Sequence, residues 1–163
     1  RLWDADSAER FWTARTALAE LETSRPGMEH DAVAFKQWRK RLERAQESEE
    51  RAWEELSASP LFSRVSRHDL GAFEQAELQA ELIRYLPVAQ AWLVCKNLRE
   101  FPRRRAYLLF VDLPAMDDDA RLGLCRRLEN ELRLPGPVLV SWVGEYPTID
   151  DVRRHAADPV FVR

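Results

Sequence analysis

Glycine is scarce in this chain, with five in 163 residues. None falls into a G-x-G-x-x-G or G-x-x-x-x-G-K-[ST] pattern, so neither a dinucleotide fingerprint nor a P-loop is present. No H-E-x-x-H occurs, which excludes a zincin-type zinc site, and no G-x-S-x-G marks a nucleophile elbow. Cysteine is limited to Cys95 and Cys125. Their spacing is not that of metal ligands, and both lie in apolar stretches. They read as reduced, buried thiols of a cytoplasmic chain, with a single disulfide between them left open. Lysine occurs only at positions 36, 40 and 96, so arginine carries most of the positive charge. No run approaches 18 consecutive apolar residues, and no signal-peptide pattern is seen. The chain opens "RLWDADSAERFW" without a methionine, from which we expect a piece of a longer protein, with membrane association of that parent left open.

What is there is a globular balance. Hydrophobic residues make up 45% and charged residues 33% of the chain. A domain of this size buries roughly 70% of the surface its unfolded form exposes, enough for a core without metal or disulfide. The net charge is −3, which argues against a dedicated nucleic-acid binder.

The first part contains no strand signal. Ala8, Phe11, Ala14, Leu18 and Leu21 recur at helical spacing, and "TSRPGMEHD" breaks the pattern at Pro26–Gly27. A longer helix follows, with Met28, Phe35, Trp38, Leu42, Ala45, Ala52, Trp53 and Leu56 near a heptad pattern that Glu49 interrupts. Its other faces are dense in Arg and Glu. The expectation is an antiparallel helical hairpin over 1–58.

From 59 to 163 the pattern changes to a small mixed β-sheet packed with helices. A helix is expected from Asp69 to Leu86, capped by Ser66 or Asp69 and stopped by Pro87, with Phe73, Ala76, Ala80 and Ile83 inward. "VAQAWLVCK" (88–96) and "AYLLFVDL" (106–113) read as strands, the second buried on both faces. "DDDARLGLCRRLENELRL" (117–134) reads as a helix with Leu124, Leu128 and Leu132 inward. Then come a strand at 137–143, a helix at 148–157 capped by Thr148, and a last strand at 159–163. The fold class is therefore α+β, with the order α-β-β-α-β-α-β after the hairpin.

Three clusters have chemistry to offer. Asp112 and Asp117, Asp118 and Asp119 follow the end of a strand, where an oxygen-rich site for a hard cation would sit. Acidic residues in the first turn of a helix equally accept its unpaired N–H groups and complement its dipole, and this is the favoured reading. The pairs His30–Asp31 and His68–Asp69 resemble fragments of metal-dependent hydrolase motifs but lack further ligands. His155 stands four residues after Asp151, an ordinary helical contact. "FPRRR" reads first as a solvated loop between two strands, and as a candidate contact surface it offers Phe101, Arg103, Arg104 and Arg105 to an acidic partner or an anionic membrane surface. Core packing accounts for most of the six tryptophans.

The segment "YLPVAQAWLVCKNLREFPRRRAYLLFVDL" resembles the C-terminal soluble region attached to some bacterial membrane-bound zinc metallopeptidases. The matching positions are Val88, Ala91, Trp92, Leu93, Val94, Lys96, Pro102, Tyr107, Leu109 and Val111. A weaker likeness is to the C-terminal domain of the enhanced serine sensitivity protein family. The resemblance covers about residues 62 to 163 and carries no catalytic residue. It implies an appended accessory domain that is regulatory or binds a partner.

The reading at this level is a non-enzymatic interaction or regulatory module of a larger bacterial protein, with no cofactor. Its partner would be another protein or the rest of its own parent chain, and self-association would run through the N-terminal helices. The alternative is a small metal-dependent hydrolase using the Asp and His residues.

Overall fold

The computed structural model describes residues 5–23, 29–58, 60–156 and 158–163. It divides into two compact units, residues 1–55 and 56–163. Among the described residues, five helices and a five-stranded mixed sheet make an α+β fold, with two helices preceding the sheet.

The first unit is built from α1 (Ala5–Thr23) and most of α2 (Glu29–Ser57). The Pro26–Gly27 turn expected between them lies outside the described residues, as do the side chains of Ala8, Leu21 and Met28. Ala14, Leu18 and Ala52 are buried, as the helical spacing predicts. Glu49, the residue that interrupts the apolar seam, is buried as well. The outer face of α2 carries i,i+4 ion pairs, Arg39–Glu43 at 3.2 Å and Arg51–Glu47 at 3.7 Å. Pairs this exposed contribute only a few tenths of a kcal/mol each, about 0.3–0.5 kcal/mol.

The second unit contains β1 (Val65–Arg67), α3 (Ala72–Leu82), β2 (Gln90–Lys96), β3 (Tyr107–Asp112), α4 (Asp118–Glu131), β4 (Val138–Trp142), α5 (Ile149–Ala156) and β5 (Phe161–Val162). β2 and β3 pair antiparallel over six residues, from Gln90↔Asp112 to Cys95↔Tyr107. β3 and β4 run parallel, joined through α4. The other edge of β2 is shared. β1 covers its Val94–Lys96 end and β5 its Gln90–Ala91 end, both antiparallel.

Alternation divides the side chains of the sheet between two faces. Ala91, Leu93, Tyr107, Leu109, Val111, Val138 and Val140 pack with Leu78 and Leu82 of α3 and with Cys125, Leu128 and Leu132 from α4 and its end. The intervening Trp92, Val94, Leu108 and Phe110 are equally buried. On that side Phe62 lies between the rings of Phe110, at 5.1 Å, and His155 of α5, at 4.4 Å. The near-continuous apolar run of β3 is thus explained by burial on both faces.

Two expectations need correction. The helix after Asp69 starts later and ends earlier, with Gly71 as its N-cap and Glu74 reaching back to the Gly71 N–H at 2.9 Å. Its inward face is also the other one. Leu78 and Leu82 are buried, whereas Phe73 is 74% and Ile83 59% exposed, and Ala76 and Ala80 are exposed too. β1 was not anticipated at all. It is only three residues long and "VSR" carries a single β-former.

Candidate functional site

Asp117 is the N-cap of α4. Its backbone is extended, and its Oδ1 accepts the Ala120 N–H at 2.8 Å. Asp118 pairs with Arg121 at 3.1 Å, while the Arg121 Nε donates to the Leu113 carbonyl. The side chain of Asp118 is 82% exposed, and Asp119 is exposed beside it. Asp112 ends β3, half-buried, in register with Gln90. The carboxylates after the strand therefore begin a helix, as N–H satisfaction and the macrodipole favour. Among the described residues, no three His, Cys, Asp or Glu side chains gather where they could hold a metal ion.

The arginine loop is dispersed. Arg104 is 8% exposed and lays its guanidinium 3.8 Å from the ring centre of Phe101. Arg103 alone of the three is exposed. Arg105 turns the other way, into the densest polar cluster described in the second unit. Its Nε and Nη2 donate to the two carboxylate oxygens of Asp69, at 2.9 and 3.2 Å, and Nη2 also reaches the Asp69 carbonyl at 3.0 Å. Nη1 and Nη2 grip Glu74 at 2.9 and 3.0 Å. The planar fork of arginine suits this double bidentate geometry. Asp69 Oδ1 further accepts the Tyr107 hydroxyl at 2.8 Å and the Cys95 thiol at 3.3 Å.

The electrostatics follow from this packing. Burial raises the Asp69 carboxyl, but the bonds from Arg105, Tyr107 and Cys95 outweigh it and hold its pKa below the usual value. Glu74 is held low chiefly by Arg105. Burial, with Asp69 as acceptor, pushes the Cys95 thiol up to about 11. Burial pushes Cys125 up to about 12. Both cysteines are free, and neither is a thiolate near neutral pH. Tyr107 is driven up for the same reasons as Cys95. This cluster ties the loop before α3 to β2 and β3, with its donors already engaged inside the protein.

Among the described side chains, His68 and His155 do not assemble a relay. The side chains of His30 and Asp31 lie outside the description. The carboxylate of Asp69 serves Arg105, Tyr107 and Cys95, and His68 has a buried Nδ1 without a hydrogen-bond partner. Burial lowers the His68 pKa, with Asp69 opposing. His155 Nδ1 lies 2.9 Å from the Asp151 backbone carbonyl, not from its carboxylate. That carboxylate instead closes a reciprocal cap with Thr148. It accepts the Thr148 hydroxyl at 2.7 Å, and the Thr148 oxygen accepts the Asp151 N–H at 3.2 Å.

The residues that sequence reasoning misplaced form an exposed apolar stripe on α3. Phe73, Ala76, Ala80 and Ile83 share its outer face, and Leu86, 78% exposed, follows. Their helical spacing was visible in the sequence. What was not visible is that Leu78 and Leu82 win the core.

The chain matches no known protein-family model, and no curated protein matches it. No helix among the described residues is long and apolar enough to cross a membrane.

Proposed function

We propose that this chain is an interaction or regulatory module of a larger bacterial protein, of the accessory kind attached to membrane-bound metallopeptidases. The observation that carries this reading is the contrast between its polar and apolar surfaces. Among the described residues, the dense cluster of ionisable groups around Arg105 is occupied by its own hydrogen bonds. The outer face of α3 and the turn after it, by contrast, leave a phenylalanine, an isoleucine and a leucine in water. Contiguous exposed apolar residues on a helix mark a docking surface more often than a reaction centre. Arg103 and the N-terminal helices would supply further contacts.

The alternative is a metal-dependent hydrolase built on Asp112 and Asp117–Asp119. Thermal unfolding with Mg²⁺, Mn²⁺, Ca²⁺ or Zn²⁺ at millimolar concentration separates the two readings. The module reading expects an unchanged midpoint. A rise in midpoint that disappears in Asp112→Asn or Asp117→Asn would overturn it.

A further inference from the structure

The outer face of α3 has the pattern of a surface that fits itself. At 3.6 residues per turn, Phe73, Ala76, Glu77, Ala80 and Ile83 fall within a stripe roughly 120° wide, and Arg84, in the turn that closes α3 with its N–H on the Glu81 carbonyl at 3.1 Å, follows on the Glu77 flank. All six are exposed. Ile83 keeps helical dihedrals (φ −60°, ψ −24°) beyond the last residue of α3, which carries the stripe past Leu82. Ala80 lies on the midline. Glu77 and Arg84 stand on one flank of it, Ala76 and Ile83 on the other. Glu77 and Arg84 are separated by seven residues, about 10 Å of rise, centred beside Ala80.

Resting on the reading of the chain as an interaction module, we propose that α3 docks against α3 of a second copy. The helices run antiparallel about a two-fold axis beside Ala80. Such an axis keeps each flank with its own counterpart and inverts the helix direction. Glu77 then stands level with Arg84 of the other copy, and the pair occurs twice. On the opposite flank, Ile83 enters the notch left by the small side chains of Ala76 and Ala80 of the other copy, as a knob enters a hole. Phe73 reaches the Leu86 end of the other helix. A parallel two-fold pairing would set each flank against the opposite one. Glu77 and Arg84 would then face Ala76 and Ile83 and lose their partners, so the charges select the antiparallel arrangement. The charge pattern commits the stripe to a second copy over an unrelated helix, because the same two residues satisfy both halves of the contact.

Sedimentation of the chain tests this. The wild type is expected at about twice its 19.1 kDa mass at tens of micromolar and above. Glu77→Arg and Arg84→Glu each place like charges at both ends of the contact, and each is expected to weaken the dimer at least about tenfold. The chain with Glu77→Arg carries arginine at both positions, and the chain with Arg84→Glu carries glutamate at both. Mixing the two therefore sets opposite charges against each other at both ends, and the mixture is expected to dimerise where each variant alone does not. The double variant recovers the dimer as well. Both substituted positions are exposed, and circular dichroism is the check that the variants fold. A wild type that stays at 19.1 kDa up to its solubility limit overturns the proposal. So does a dimer that neither single reversal weakens, or single variants that do not complement on mixing. The module reading fails on a different result, the metal-dependent midpoint described above, so the two can fall separately.

Discussion

Arg105 makes five hydrogen bonds to Asp69 and Glu74, and its worth depends on geometry as much as on charge. The group is about one third exposed, so solvent screening reduces the Coulomb share. Arg105→Ala is expected to destabilise the second unit by about 2 kcal/mol, read from urea midpoints. Arg105→Lys keeps the charge but loses the fork, and should recover less than half of that. If lysine restores full stability, geometry is not what matters there. His68 supplies a pH dependence. Its folded pKa lies below the ordinary value, so the unfolded chain takes up a proton first as the pH falls. Its contribution is fully present above an unfolded pKa of about 6.5 and is lost as the pH drops below that toward the folded value. The lowered Asp69 acts in the same direction at more acidic pH, its contribution lost below the ordinary carboxylate pKa of about 3.9. His68→Asn is expected to flatten the stability profile between about pH 7.5 and 5.5, measured by urea unfolding at both. None of this network was legible in the sequence, because Arg105 is 31 and 36 residues from its partners. Only folding brings them together.

At the scale of elements, most of the architecture was legible and one face was not. Strong β-formers located β2, β3 and β4 to within two residues, and the caps of α4 and α5 are the Asp117 and Thr148 that the sequence points to. α3 failed because it carries two apolar stripes at helical spacing. The choice between them is made by the sheet, which takes Leu78 and Leu82. β1 failed because three residues carry too little pattern to distinguish a strand from a loop. Gly136 shows another constraint that a pattern does not reveal. A Cβ there would lie 1.7 Å from the Arg105 carbonyl oxygen, so the backbones touch. Gly136→Ala forces the β4 entry away from Arg105 and is expected to cost about 2 kcal/mol by thermal or urea unfolding. An unchanged midpoint would mean that the two segments separate freely. The end of α3 depends on a distant residue too. Arg163 donates to the carbonyls of Ile83, Tyr85 and Val88. Arg163→Ala should speed amide exchange in the turn that follows α3 before it changes that of β3.

For the whole molecule, the two compact units carry different kinds of order. The first has helices with short-range pairing, and the second has a two-faced sheet whose contacts span most of its length. Residues 56–163 alone are expected to unfold cooperatively, with near-UV signals from the buried Trp92 and Tyr107 retained in the folded state. A broad, non-cooperative transition for that segment would show that it depends on the helices before it. The resemblance that suggested an accessory domain rests on core positions such as Val88, Leu93 and Val111, all fully buried. Such residues define a fold and leave the choice of partner to the surface.

The shared edge of β2 also has a consequence in time. β1 closes one end of that edge early, but the other end waits for Phe161 and Val162, about seventy residues further along the chain than the Gln90–Ala91 they cover. During synthesis, the carbonyls of Ala89 and Ala91 stay open until the N–H groups of Arg163 and Val160 arrive to bond them. A β2–β3 hairpin that formed during synthesis would keep half of one side bare while α4, β4 and α5 are being made. A ribosome halted before residue 160 would hold an adhesive, unfinished sheet, and chaperone contact should concentrate on that interval.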